Sequence, residues 1–147
     1  MTPGRDGVGS DEREGASGTA GQGAQGSGRV ALVTGSSRGI GAALARRLGA
    51  DGYRVAVHYA SSADFAEEVV ASLRAGGADS EAFGADVADP EACQSLVKAV
   101  TERFGGLDVL VNNAGVTRDT LVLRMKDDDW RTVIDTNLSA AFYLSRA

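Results

Sequence analysis

The chain has 147 residues, a formal charge of −5 and a single cysteine. That length supports one domain with one core. The acidic balance argues against a nucleic-acid or anionic-membrane surface, the lone Cys93 excludes an internal disulfide and fits a reducing cytoplasm, and no apolar stretch approaches the ~20 residues of a membrane span.

Met1 to Gly28 stands apart in composition. Nine of its 28 residues are glycine, and it carries almost no large apolar side chain. Such a segment cannot bury enough surface to offset its ordering entropy, so it reads as a disordered tail. It lacks the apolar stretch of a secretory signal, and Asp6, Asp11, Glu12 and Glu14 do not suit an organelle transit peptide. The folded part is expected over residues 29–147.

Arg29 to Val33 is a short apolar run rich in β-branched residues, which reads as a strand buried on both faces. Thr34-Gly35-Ser36-Ser37-Arg38-Gly39-Ile40-Gly41 follows at once. Ala42 to Leu48 then predicts a helix, with Leu44 and Leu48 on one face and Gly52 just past its end. Strand, glycine loop and helix form the opening unit of a dinucleotide-binding fold. Gly35 would turn the chain off the strand, Gly39 would let a pyrophosphate approach the backbone, and Gly41 would let the helix pack closely on the strand. The helix N-terminus then offers free N–H groups and a partial positive charge to phosphate. The spacing is Gly-x-x-x-Gly-x-Gly, not the Gly-x-Gly-x-x-Gly of the common fingerprint. A tight turn without a ligand is the alternative reading of the loop alone.

Tyr53 to Tyr59 reads as the second strand. A preference for NAD usually places Asp or Glu about 20 residues beyond the glycine loop, to bind the ribose 2′-hydroxyl. Here the strand ends in His58-Tyr59-Ala60-Ser61-Ser62, with no carboxylate before Asp64. The missing acid permits the 2′-phosphate of NADP, and Arg38 is a candidate for its matching cation. Arg38 as a solvated loop residue is the alternative. His58, the only histidine, has no evident acid or nucleophile partner and reads as strand-end packing.

Ala63 to Ala75 predicts a helix with Phe65, Val69, Val70 and Leu73 as its apolar stripe, ended by Gly76-Gly77. Ser80 to Gly84 is a weak third strand. Asp86 and Val87 follow it, where an aspartate can accept from an adenine amino group and a valine can cover the ring. Asp86 is equally readable as a loop or cap residue. Asp89 as N-cap and Pro90 in the first turn start a helix that runs to about Phe104. Cys93, Leu96, Val97, Val100 and Phe104 share one side of it, so Cys93 reads as a small core residue and not a nucleophile.

Leu107 to Val111 is the fourth strand, closed by Asn112-Asn113-Ala114-Gly115. Small residues there allow close approach of a ligand, and the asparagine amides can tie the loop to neighbouring strands. A last helix is expected from about Asp127 to the terminus, its three aspartates favouring its positive end. Trp130, Val133, Ile134, Leu138, Ala141 and Phe142 give it a wide apolar surface, suited to the sheet and a subunit partner. Asn137 lies among these apolar neighbours. No metal site is read from the chain.

Together these motifs carry a resemblance. Thr34-Gly35-(x)3-Gly39-Ile40-Gly41, Asp86-Val87, Asn112 to Gly115 and Asn137 stand in the order and spacing of the short-chain dehydrogenase/reductase family. The resemblance covers essentially all of residues 29–147. Ser36 to Gly41, the run Gly115 to Asp119, and Arg124 to Trp130 look most like the 3-oxoacyl-[acyl-carrier-protein] reductases of fatty acid biosynthesis, with acetoacetyl-CoA reductases close behind. The resemblance implies an α/β, Rossmann-type doubly wound parallel sheet and NADP as cofactor. Gly35, Ser36, Ser37, Arg38, Gly39, Ile40 and Gly41 would hold its pyrophosphate and adjacent ribose. Arg38, helped by Ser61, would meet the 2′-phosphate. Asp86 and Val87 would frame adenine, and Asn113, Ala114 and Gly115 would line the cofactor. Asn137 would be the catalytic asparagine, in a local helix distortion that holds a water of the proton relay. The implied partner is an acyl thioester on carrier protein or CoA, and the implied assembly is a homotetramer.

In that family a serine, a tyrosine and a lysine complete the site after a fifth strand. No Tyr-x-x-x-Lys occurs in these 147 residues; Ala147 stands four beyond Tyr143. The expectation is therefore half of the fold, with strands in the order 3-2-1-4 by the crossover rule and the fourth as an open edge. Three readings are open: a partial sequence of a reductase, a truncated nucleotide-binding or oligomerising module, or a remnant without stable structure.

Overall fold

The computed structural model describes residues 28–147. The expected tail falls outside the described residues, apart from Gly28. The elements run β1 Val30–Val33, α1 Gly39–Ala50, β2 Arg54–Tyr59, α2 Ala63–Ala75, β3 Ser80–Gly84, α3 Pro90–Phe104 and β4 Val109–Val111. A 3₁₀ turn Val122–Arg124, α4 Asp127–Ile134, a π turn Asp135–Ser139 and α5 Ala140–Arg146 complete the chain. No helix among the described residues is long and apolar enough to cross a membrane.

The four strands form one parallel sheet in the order β3-β2-β1-β4, as the crossover rule predicts. Every residue of β1 is buried, as its unbroken apolar run requires of a central parallel strand. Alternate side chains supply two cores. Val30 and Leu32 of β1 and Ala56 of β2 pack with Cys93, Leu96, Val100 and Phe104 of α3 and with Ala140 and Leu144 of α5. Val33, Val55 and Val57 pack on the other face with Ala42 and Ala45 of α1 and Val69, Val70 and Leu73 of α2. Fully burying one such Val or Leu stabilises by about 1.5–3 kcal/mol.

Helix α3 starts where Asp89 and Pro90 predict. The Asp89 side chain accepts the Glu91 N–H at 2.9 Å, and Pro90 occupies the first turn, where no N–H is needed. Three helix faces differ from expectation. In α1 the buried residues are Gly41, Ala42 and Ala45, while Leu44 is 38% exposed. Small residues face the sheet because this helix lies close to the glycine loop that feeds it. In α2 Ala66 takes the place expected for Phe65, which is 48% exposed. The last helix carries at Asn137 the local distortion that the family resemblance implied, a π turn, and among its residues only Ala140 and Leu144 are buried. A π turn inserts a residue and rotates the next helical segment by roughly 100°. The two segments therefore present different faces, and Trp130, Leu138 and Phe142 remain exposed.

Candidate functional site

The parallel strands all deliver their following loops to one end of the sheet. The strand order reverses between β1 and β4, because the chain proceeds from β1 through β2 to β3 and then crosses back. Ligands of open α/β sheets bind outside the strand ends at such a point.

The glycine loop is anchored from below and open above. Gly35 adopts φ 63°, a left-handed conformation that glycine tolerates. Its N–H donates to His58 Nδ1 at 2.9 Å. Ser36 is fully buried; its hydroxyl donates to the Val33 carbonyl at 2.6 Å and accepts the His58 N–H at 3.0 Å. The Ser36 N–H returns to the His58 carbonyl at 2.9 Å. Beyond this anchor, none of the described hydrogen bonds uses the N–H groups of Ser37, Arg38, Gly39, Ile40 or Gly41. Arg38 precedes α1 in an extended conformation without a side-chain cap. The first turn of α1 thus presents unpaired donors and its positive pole to the same space, an arrangement suited to an anion.

Two glycines shape that turn differently. Gly39 has φ 58°, and a Cβ there would meet no atom within 4 Å. A Cβ on Gly41 would collide with the Gly35 carbonyl, with Asn113 Nδ2 at 2.5 Å and with Ser36 Cα at 2.9 Å. Gly41 therefore admits the loop and Asn113, whereas the sequence suggested that it admits the strand.

Thr34 and Asn113 clasp β1 to β4. The Thr34 hydroxyl donates to the Val111 carbonyl at 3.2 Å and accepts the N–H groups of Asn113 and Ala114, both at 3.0 Å. Asn113 Nδ2 donates to the carbonyls of Thr34 at 2.9 Å and Gly35 at 3.2 Å. The loop after β4 is thereby pressed against the glycine loop, with Ala114 directly facing Gly35.

On the β2 side, Arg38 Nη2 donates to Ser62 Oγ at 3.4 Å, and its guanidinium lies 5.7 Å from the centroid of the Phe65 ring. Both side chains are at the surface, so the exposed Phe65 has a neighbour that the helical stripe did not indicate. Asp86 accepts the Ala88 N–H at 3.0 Å, a short-range turn contact, and also faces the central cavity. Val87 is buried, and its carbonyl accepts from the Cys93 thiol at 3.2 Å. Cys93 is a buried core residue whose thiol pKa is pushed up, first by burial and then by Asp89 and Asp86.

Of the predicted site residues, Gly35, Ser37, Arg38, Ser61, Asp86, Val87, Asn113, Ala114 and Gly115 line one cavity of about 430 Å³. Ser36 lies beneath it as a support, and Gly39, Ile40 and Gly41 form the first turn of α1 beside it. Asn137 occupies the π turn, and its side chain backs the cavity wall at Gly115 and Val116 without lining the cavity itself. Its Oδ1 accepts the Val116 N–H at 2.8 Å, and its Nδ2 donates to the Val116 carbonyl at 3.0 Å. The neighbouring Thr136 lines the cavity instead. His58, Ala60, Ser62, Val116 and Thr136 also line it and were not assigned to it from sequence. For His58 a signal existed: a polar side chain on a strand buried on both faces must find partners for both ring nitrogens. Among the described residues, no group of three or more His, Cys, Asp or Glu is placed to hold a metal ion.

A profile of the short chain dehydrogenase family matches residues 29–147. A 3-oxoacyl-[acyl-carrier-protein] reductase FabG of Staphylococcus aureus is 54% identical over 114 residues, 78% of this chain and 46% of the relative. A 3-oxoacyl-[acyl-carrier-protein] reductase of Synechocystis is 50% identical over 119 residues, 81% of this chain and 48% of the relative. The chain thus spans about half the length of the curated relatives it matches. Among solved structures, a short chain dehydrogenase from Burkholderia cenocepacia in complex with NADP aligns with a TM-score of 0.80 at 48% identity, over 82% of this chain and 49% of that one. A blue fluorescent protein from a metagenomic library, in complex with NADPH, aligns with a TM-score of 0.78 at 40% identity, over 82% of this chain and 50% of that one.

Proposed function

This chain belongs to the short chain dehydrogenase family, and from that premise we propose that residues 29–147 are the NADP-binding half of a cytoplasmic reductase acting on 3-oxoacyl thioesters. The substrate class is that of the carrier-protein reductases it resembles, with CoA thioesters as the second possibility. One observation carries the cofactor assignment. Arg38 stands at the mouth of the cavity, beside unpaired N–H donors, and the β2 end offers no carboxylate to oppose a second phosphate.

The donor set fits the cofactor. Ser37 to Gly41 present backbone N–H groups for a pyrophosphate, and the open space at Gly39 allows it close to the chain. Arg38, with Ser61, would hold the 2′-phosphate. Asp86 and Val87 would frame adenine, while Asn113, Ala114 and Gly115 would line the ribose side. When bound, the reduced nicotinamide supplies a hydride to the 3-oxo carbon. Asn137 is the proposed catalytic asparagine. The contact of its amide with Val116 assigns that side chain to holding the loop after β4. Any relay contribution would then come from the surrounding π turn.

These 147 residues by themselves turn over no substrate, because they offer no Tyr-x-x-x-Lys pair to protonate the product. Exposed Trp130, Leu138 and Phe142 support association between copies in the complete enzyme, as a tetramer. Titration of the chain with NADPH and NADH tests the cofactor reading. Arg38→Ala is expected to weaken NADPH by about ten- to a hundredfold, the value of a charge-assisted contact, and to leave NADH nearly unchanged. Tighter binding of NADH by the native chain contradicts the reading. Oxidation of NADPH by acetoacetyl-CoA above background contradicts the predicted lack of turnover.

A further inference from the structure

We propose that His58 is a positioning residue of the nucleotide site: as a neutral imidazole with its hydrogen on Nε2, it ties the glycine loop to the Asp86 segment and makes nucleotide binding weaken in acid. The inference rests on the nucleotide reading above.

His58 is 1% exposed at the end of β2, between the two loops it joins. Nδ1 lies 2.9 Å from the Gly35 nitrogen, and Nε2 lies 3.0 Å from the Ala85 carbonyl oxygen. The chemistry of these partners fixes the tautomer. A backbone N–H can only donate, so Nδ1 must accept; a carbonyl can only accept, so Nε2 must carry the hydrogen. The same residue bonds Ser36 through its own N–H and carbonyl. One side chain and its backbone therefore fix the start of the glycine loop, while the far side of the ring fixes the residue before Asp86. Both walls belong to the same cavity.

Protonation reverses one of these contacts. An imidazolium carries a hydrogen on Nδ1, which would point at the Gly35 N–H, so the glycine loop would lose its anchor. Burial opposes that protonation and lowers the His58 pKa, with the Ala85 carbonyl and the charge of Asp86 acting the other way. The other charged group lining the cavity is Arg38. On the helix covering this face, the titratable groups near its start are Asp89, Glu91 and Cys93. Above the ordinary histidine value of about 6.5 the ring is neutral and the loop is held. Below the lowered folded-state value the ring is charged and the loop is released.

The chain contains one histidine, so ring labelling with ¹⁵N gives a single, unambiguous signal set in the full 147-residue protein. The expected result is an Nε2–H imidazole titrating below about 6.5, with the Gly35 amide resonance moving along the same curve. Dissociation constants for NAD⁺ are then measured from neutral pH down through that curve. NAD⁺ is the probe because it lacks the 2′-phosphate, which itself titrates near pH 6. Affinity is expected to be constant above the curve and to fall about tenfold across it, the worth of one hydrogen bond. His58→Gln is expected to bind more weakly at neutral pH and to show no such step. An Nδ1–H tautomer, or NAD⁺ affinity that stays level while His58 titrates, overturns the proposal. If no nucleotide binds at neutral pH, the cofactor reading fails by itself. The tautomer and the Gly35 resonance then decide whether His58 anchors the loop.

Discussion

Strands β1 and β4 are similar in sequence and opposite in situation. Val30-Ala-Leu-Val33 and Val109-Leu-Val111 are both apolar and β-branched, and they pair with each other in parallel. Yet every residue of β1 is buried and every residue of β4 is only half-buried. The difference lies in neighbours. β1 is flanked by β2 and β4, whereas β4 pairs only with β1 among the described residues. The regions around them differ in the same way. The glycine loop after β1 is fixed by Ser36, His58, Thr34 and Asn113 together. The segment after β4 rests largely on that clasp and on two bonds between Asn137 and Val116. An apolar run announces a strand; its place in the sheet decides how much it contributes.

The largest predicted contrast is in the core. Leu32→Ala removes a fully buried side chain from β1 and should destabilise the chain by about 3 kcal/mol. Leu110→Ala on half-buried β4 should cost about 1 kcal/mol. Urea unfolding of both variants checks the contrast, and equal losses would erase it. Next in size is Thr34→Val. It leaves the Asn113 and Ala114 N–H groups without their acceptor and should cost about 2 kcal/mol, with exchange of those two amides accelerated. If only global stability changed and those amides stayed protected, Thr34 would not be the clasp. The smallest effect is expected at the far edge. Arg103 bonds Asp79 at 2.8 Å and also reaches Glu81, joining α3 to the approach and body of β3. These carboxylates raise the Arg103 pKa further, but the groups are more than one-third exposed. Arg103→Ala should therefore cost about 0.5 kcal/mol, and the effect should shrink in high salt.

How far the sequence could be read depended on the range of the interactions involved. Strand order, the start of α3 and the loop geometry at Gly35 depend on local residues and a general crossover rule. The helix faces depended on more. Leu44 and Phe65 have helical spacing, but in α1 the fully buried positions are Gly41, Ala42 and Ala45, with Leu48 packed partly buried against the same core. The interruption at Asp135–Ser139 was legible only through the family resemblance at Asn137 and not from apolar spacing, because Leu138 and Phe142 continue a pattern that the π turn rotates away. His58 was legible as a residue buried at a strand end. Its two loop contacts were not, since Gly35 and Ala85 lie 23 and 27 positions away.

The glycine loop and Arg38 are proposed to recognise a doubly phosphorylated adenosine. Calorimetric titration of the 147-residue chain with adenosine 2′,5′-bisphosphate and with AMP isolates that claim from the nicotinamide. Saturable binding of the bisphosphate, at least about tenfold tighter than AMP, is the predicted result. Equal affinity for the two, or no binding of either by the folded chain, would contradict it.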